Sequence, residues 1–246
     1  MQRLRISRIW KFSWRVLGIL CVLPTAPVFS SPITITNPSF EIHDPFNRPC
    51  ISTNCYNITD PVGWTRANGP FQGQFAPDST FFLNLSLPDG SVVAYSNGGS
   101  LYQTLAGQSA AANTGYLLQV AIGRRFDCCN GLANGIPGIP DTPAMMDIEL
   151  RAGGVAGTLL AINTIDIRAI PLGSFANFSA FFAGAPAPPA GNLTIVLNTT
   201  GIEGLFDNVR LDSLTSTQVP EPGSVTMVLA AIGLFWIRRP VAANRA

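Results

Sequence analysis

Residues 146–151, Met-Asp-Ile-Glu-Leu-Arg, alternate strictly between apolar and charged side chains. A strand sends successive side chains to opposite faces, so this run requires a sheet with one dry face and one wet face. Further short runs at 33–36, 92–95, 101–105, 115–122, 159–163, 173–182, 193–197 and 205–211 are rich in Val, Ile, Leu, Thr, Tyr and Phe. Another strand is expected to start at Gly63-Trp64. Glycine-rich turns such as Asn97-Gly98-Gly99 separate the runs. Between residues 31 and 213 no stretch keeps a 3.6-residue period. Nine or ten short strands are enough for two packed antiparallel sheets, so the expectation is an all-β sandwich. Residues 42–63, 69–78 and 123–144 read as loops, with Phe71 and Phe75 plugging the middle one.

Both ends differ from this centre. Arg3, Arg5, Arg8, Lys11 and Arg15 precede an apolar run at 16–23, and Pro24, Pro27 and small residues follow it. A basic head, a short apolar stretch and a small-residue exit are the parts of a secretory signal. The run is far shorter than the roughly 20 residues that span a bilayer. Export with cleavage near Ser30 or Ser31 is therefore expected. At the other end Pro220-Glu221-Pro222 precedes a second apolar stretch, 224–237, which Arg238 and Arg239 close. As a helix it would reach about 21 Å against about 30 Å of hydrocarbon, a marginal span with its basic end held in the cytoplasm.

With these ends set aside, residues 31–218 hold seven arginines, no lysine and thirteen acids, a net of −6. Such a domain has no electrostatic footprint for nucleic acid. It keeps Cys50, Cys55, Cys128 and Cys129, and export makes disulfides the default. Adjacent Cα atoms are closer than a disulfide prefers. Two bonds joining the Cys50/Cys55 loop to the Cys128/Cys129 loop are expected, in either pairing. Each would close a loop of about 80 residues, for which chain entropy predicts about 4–5 kcal/mol. A zinc site is the alternative, although no Cys-x-x-Cys pair or associated histidine accompanies the cysteines.

Pro-Glu-Pro, a short apolar stretch and a basic cluster, in that order at the C-terminus, resemble a PEP-CTERM sorting signal over residues 219–239. The resemblance implies processing by an exosortase after transient membrane insertion. It also implies a Gram-negative host that makes exopolysaccharide, with the chain secreted or in the cell envelope. Residues 37–41 (Asn-Pro-Ser-Phe-Glu), Gly63-Trp64, residues 101–105, the 116–123 strand with Arg125 and Asp127 beyond it, and residues 206–211 (Phe-Asp-Asn-Val-Arg-Leu) fall in sequence. Together they are similar to the galactose-binding-domain-like jelly roll. That resemblance implies a structural calcium between the first and last strands, carried to Glu41 and Asp207. Carboxylate oxygens are hard ligands suited to it.

The organisation expected is a signal helix at 1–30, a jelly-roll β-sandwich at 31–213, a linker at 214–218 and a sorting segment with a hydrophobic helix at 219–246. Catalytic motifs are sparse. His43 is the one histidine, and no nucleophile elbow, phosphate loop or metal-hydrolase motif occurs. Trp64, Tyr95, Tyr102, Tyr116 and Phe126 could serve as sugar platforms, with Trp64 read as core. Arg124, Arg125, Phe126 and Asp127 form a candidate glycan-contact rim. The function expected is that of a noncatalytic surface or matrix protein binding glycans. The alternative is an extracellular polysaccharide hydrolase, whose carboxylate pair sequence alone does not place.

Overall fold

The computed structural model describes residues 28–46, 55–69, 71–77, 86–126, 145–201 and 204–216. All of them fall in one compact unit, Val28–Thr217. Of the expected signal helix only Val28–Ser30 are described, and they are strand; the rest of it and the hydrophobic C-terminal helix lie outside the described residues, as do Pro220, Glu221, Pro222, Arg238 and Arg239. Among the described residues no helix is long and apolar enough to cross a membrane.

The chain is all-β, with two antiparallel sheets. Its strands are β1 (Val28–Ile33), β2 (Cys55–Tyr56), β3 (Thr65–Ala67), β4 (Gln72–Ala76), β5 (Val93–Ser96), β6 (Gly99–Ser109), β7 (Thr114–Arg124), β8 (Met145–Ala152), β9 (Thr158–Asp166), β10 (Ser174–Phe182), β11 (Asn192–Thr199) and β12 (Gly204–Ser216). The seven-stranded sheet runs β10-β7-β12-β5-β4-β2, and β1 pairs with the far half of β12. The five-stranded sheet runs β3-β6-β11-β8-β9.

The alternation read from sequence sets the core. Met146, Ile148 and Leu150 of β8 are fully buried, while Asp147 and Arg151 are partly exposed. Leu118, Val120 and Ile122 of β7 meet them from the opposite sheet, with Phe206, Val209 and Leu211 of β12. Trp64 is buried as expected. Its ring lies 5.2 Å from that of Phe40, and its Nε1 donates to the Asn37 carbonyl at 3.2 Å.

Two local expectations are corrected. The opening strand is not 33–36 but β1, which ends at Ile33. After it, Asn37 (φ 51°) and Phe40 (φ 60°) take left-handed backbone, which no strand can follow. Residues 69–78 are not all loop, because β4 crosses them. Its Gln-Gly-Gln start carries no β-branched residue, and pairing with β5 supplies the order that propensity lacks. Phe75 is accordingly buried on that strand, whereas Phe71 is exposed.

Candidate active site

The outer face of the seven-stranded sheet is where the chain leaves space. On β7 the inward residues Leu118, Val120 and Ile122 are large, while the outward series runs Gln119, Ala121, Gly123. Cross-strand partners share a face, so each rung can be read from the register. One outward rung is Phe175–Gly123–Leu205, and the next is Asn177–Ala121–Asp207. The smallest side chains thus lie along the middle strand, with taller ones on both sides. Phe175 lies over Gly123 so closely that a Cβ there would overlap its ring. It also packs against an apolar cluster of Phe75, Val93, Tyr95 and Leu205. Beside that ring a cavity of about 350 Å³ opens. Ser86, Pro88, Ala121, Ser174, Phe175 and Asn177 line it.

Asp207 occupies the far end of the Ala121 rung and is fully buried. A bulge at Asn208 and Val209 follows it, which turns Val209 into the core and leaves Asp207 facing outward. Asn208 reaches this with φ 47°, a conformation asparagine tolerates well, and the Val209 amide donates to the Pro38 carbonyl at 2.9 Å. Asp207 Oδ2 accepts from the Asp89 amide at 3.0 Å, and Oδ1 from the Asn208 amide at 2.7 Å. Burial pushes the carboxyl up to about 7. The two amides pull it down, and the neighbouring Asp89 and Glu41 carboxylates push it further up.

Glu41 ties the same segment from the other side. Its Oε1 accepts from the Ser91 and Val92 amides at 2.8 and 2.7 Å, and Ser39 Oγ donates to Asp89 Oδ2. The 86–91 segment, which supplies Ser86 and Pro88 to the cavity, is thus clamped by acids from the first and last parts of the sandwich. Among the described residues none of these three acids meets a cationic side chain. The ion pairs there are Arg66–Asp60, Arg151–Glu149 and Arg168–Asp166.

The structure brings Glu41 and Asp207 together and sends the other candidates elsewhere. Arg124 turns back to the protein, its Nη1 donating to the Ile170 carbonyl at 3.0 Å. The Arg125 guanidinium lies 5.2 Å over the Phe75 ring. Phe126 is exposed, and Asp127 lies outside the described residues. Cys55 is disulfide-bonded. Cys50, Cys128 and Cys129 lie outside the described residues. His43 bonds the Asp44 carbonyl and stacks on Phe46, and it does not line the cavity. Among the described residues no three His, Cys, Asp or Glu side chains are gathered as a metal cage. Sequence reasoning missed Asp89, Ala121, Phe175 and Asn177. The one available signal was the small outward pair, Ala121 and Gly123, following a run of large residues from Tyr116 to Val120.

A sequence profile described as HpiC1-like, HpiC1 cyclase, matches residues 31–212. The chain belongs to the HpiC1-like family. Solved structures agree. A Stig cyclase from Fischerella sp. TAU in complex with (3Z)-3-(1-methyl-2-pyrrolidinylidene)-3H-indole is 25% identical, with a TM-score of 0.57 over 75% of this chain and 98% of its own. An apo cyclase from Fischerella sp. is also 25% identical, with a TM-score of 0.56 over 75% of this chain and 96% of its own. A further cyclase from Fischerella sp. TAU, in complex with 4-(1H-indol-3-yl)butan-2-one, is 26% identical, with a TM-score of 0.55 over 74% and 97%. A search of curated proteins returned no match.

These findings correct the reading taken from the ends of the chain. HpiC1-like membership over residues 31–212 overturns the assignment to PEP-CTERM sorting proteins, and with it the support for exosortase and exopolysaccharide. It also overturns the noncatalytic glycan-binding reading and its hydrolase alternative, since the family and these neighbours are cyclases. The error has a physical origin. The tail motif is compact and contiguous, whereas the residues that make the cavity are spread over three strands and a loop.

Proposed function

We propose that this chain is a cyclase that closes a ring within an indole-bearing substrate, working from the outer-face cavity of a jelly-roll sandwich, with Asp207 as the proton donor. The observation that carries this reading is a buried carboxyl, raised to about 7, one rung position from the alanine that floors the cavity. Family membership and the indole compounds bound by the Fischerella cyclases support the reaction and substrate class.

The chemistry needs few parts. A proton added to an unsaturated carbon of the substrate creates a cation, and a second double bond of the same molecule attacks it to close the ring. A proton then leaves the ring, so the product has the mass of the substrate. Asp207 gives the first proton, and its carboxylate stands ready to take the last one back. A carboxyl near 7 is half protonated at neutral pH, whereas an ordinary one would already be spent as an anion. Phe175 supplies an apolar aromatic wall beside the place where the cation would form. For Asp207 to touch substrate, the Asp89 amide has to release Oδ2. The test is turnover of an indole-bearing alkene, read as a product of unchanged mass. Asp207→Asn is expected to lower the rate by about 10²- to 10⁴-fold with the fold intact. Wild-type rates in that variant would reject Asp207 as the acid.

A second reading concerns calcium. Glu41, Asp89 and Asp207 place three carboxyls near one another without a cationic side chain, and such a group is neutralised either by a proton or by a cation. Their oxygen donors suit calcium, although the described side chains do not form a three-ligand cage. An ion there would be held by Glu41 and Asp207, would keep Asp207 ionised and would brace the 86–91 segment. Thermal melts in calcium and in chelator decide between the two. A shift lost in Asp207→Ala supports the ion, and identical midpoints support the proton.

A further inference from the structure

We infer that Asn177 is the specificity-determining residue of the outer-face cavity and that it selects substrates presenting a ring N–H. The inference rests on the cyclase reading of that cavity and adds to it the polar contact that orients the substrate. Asn177 and Asp207 stand on opposite sides of Ala121 in one rung. Any ligand lying over Ala121 therefore meets a carboxamide at one end and faces the acid's strand at the other. The Asn177 side chain is exposed, lines the cavity and has no hydrogen-bond partner among the described residues. Its neighbour on the same strand, Ser174, donates its hydroxyl proton to the Pro171 carbonyl at 2.7 Å. Ser174 therefore offers the cavity only lone pairs. With Phe175 giving an aromatic wall between them, this side of the cavity suits a flat apolar ring carrying a hydrogen-bond donor. Of the two acceptors, the Asn177 oxygen is the one carried on the Ala121 rung itself. Sites that hydrogen-bond a substrate N–H reject analogues that lack it more strongly than apolar contacts reject a change of shape.

The experiment is calorimetric titration of the full chain with 4-(1H-indol-3-yl)butan-2-one and with its ring-N-methylated analogue. Wild type is expected to favour the N–H compound by about tenfold. Asn177→Leu should erase that preference by weakening the N–H compound alone. Asn177→Asp, which keeps an acceptor oxygen, should retain it. Ala121→Leu, which fills the floor, should abolish binding of both. A preference absent in wild type, or surviving in Asn177→Leu, overturns the role of Asn177 while the Ala121→Leu block leaves the cavity standing. Unchanged binding to Ala121→Leu overturns the cavity itself. Failure of wild type to bind either compound overturns both.

Discussion

Phe206 and Asp207 are neighbours on β12, and both are fully buried, yet they belong to two different kinds of interior. Phe206 faces between the sheets, where Leu118, Ile122 and Ile148 fill the space with hydrocarbon. Asp207 faces outward onto a rung whose centre is only an alanine, and its cover comes from a clamped loop. The inner face is filled, and the outer face is left with a hollow beside an acid. A packed core resists change of volume, whereas a hollow beside an acid resists change of charge. Substitutions on the two faces should therefore fail in different ways.

The largest effect is expected inside. Phe206→Ala should cost about 3–5 kcal/mol of stability through lost burial and an unfilled cavity. Chemical denaturation measures this. A cost below about 1 kcal/mol would show that the two faces are less different than their packing implies.

The next effect depends on pH. The folded carboxyl of Asp207 is raised from 3.8 to about 7. Its folded value lies above its unfolded value, so the folded state holds the extra proton between the two. Its ionisation leaves stability untouched below about pH 4, erodes it as pH rises towards 7, and adds nothing further above that. The full penalty is at most about 4 kcal/mol. Asp207→Asn removes the penalty, at the price of an acceptor for one backbone amide. Denaturation of both proteins from pH 4 to 8 should show the difference shifting steadily in favour of the variant. A difference independent of pH would mean that Asp207 titrates as an ordinary carboxyl.

Gly123→Ala should cost about 1–3 kcal/mol, because the new methyl displaces the Phe175 ring. The displaced ring also narrows the cavity, so this variant should lose ligand binding as well as stability. Retention of both would place Phe175 elsewhere in solution. The smallest effect belongs to the clamp. Glu41→Gln weakens the charge-assisted bonds to the Ser91 and Val92 amides and should cost about 0.5–1.5 kcal/mol. Hydrogen exchange should speed up at those two amides while the β7 amides stay protected. Equal acceleration across the sheet would show that the clamp and the sheet open together.

What sequence could show divides along the same line. The sandwich was legible, because alternation in β8 and in the inward half of β7 is written in consecutive residues. Sequence pairs Glu41 with Asp207 only through the jelly-roll resemblance, as calcium ligands, and the described side chains form no three-ligand cage. The Asp89 amide that meets Asp207 is 118 residues away in sequence, with no motif of its own to mark it. Asn177 and Ala121 became partners only once the register of β10 on β7 was known. Strand β4, with its glycine and two glutamines, carried no propensity to announce itself. Chemistry here comes from rungs across strands, and a linear reading sees along strands.

Asp207, in its protonated form, is proposed to start the reaction from the outer face. The most direct test is the pH dependence of single-turnover rates between pH 5 and 9, for wild type and Asp207→Asn, with a calcium chelator present. A wild-type rate that falls above an apparent pKa of about 7, together with a variant whose small residual rate lacks that limb, is the expected result. A wild-type rate flat across this range, or the same falling limb in the variant, would contradict it.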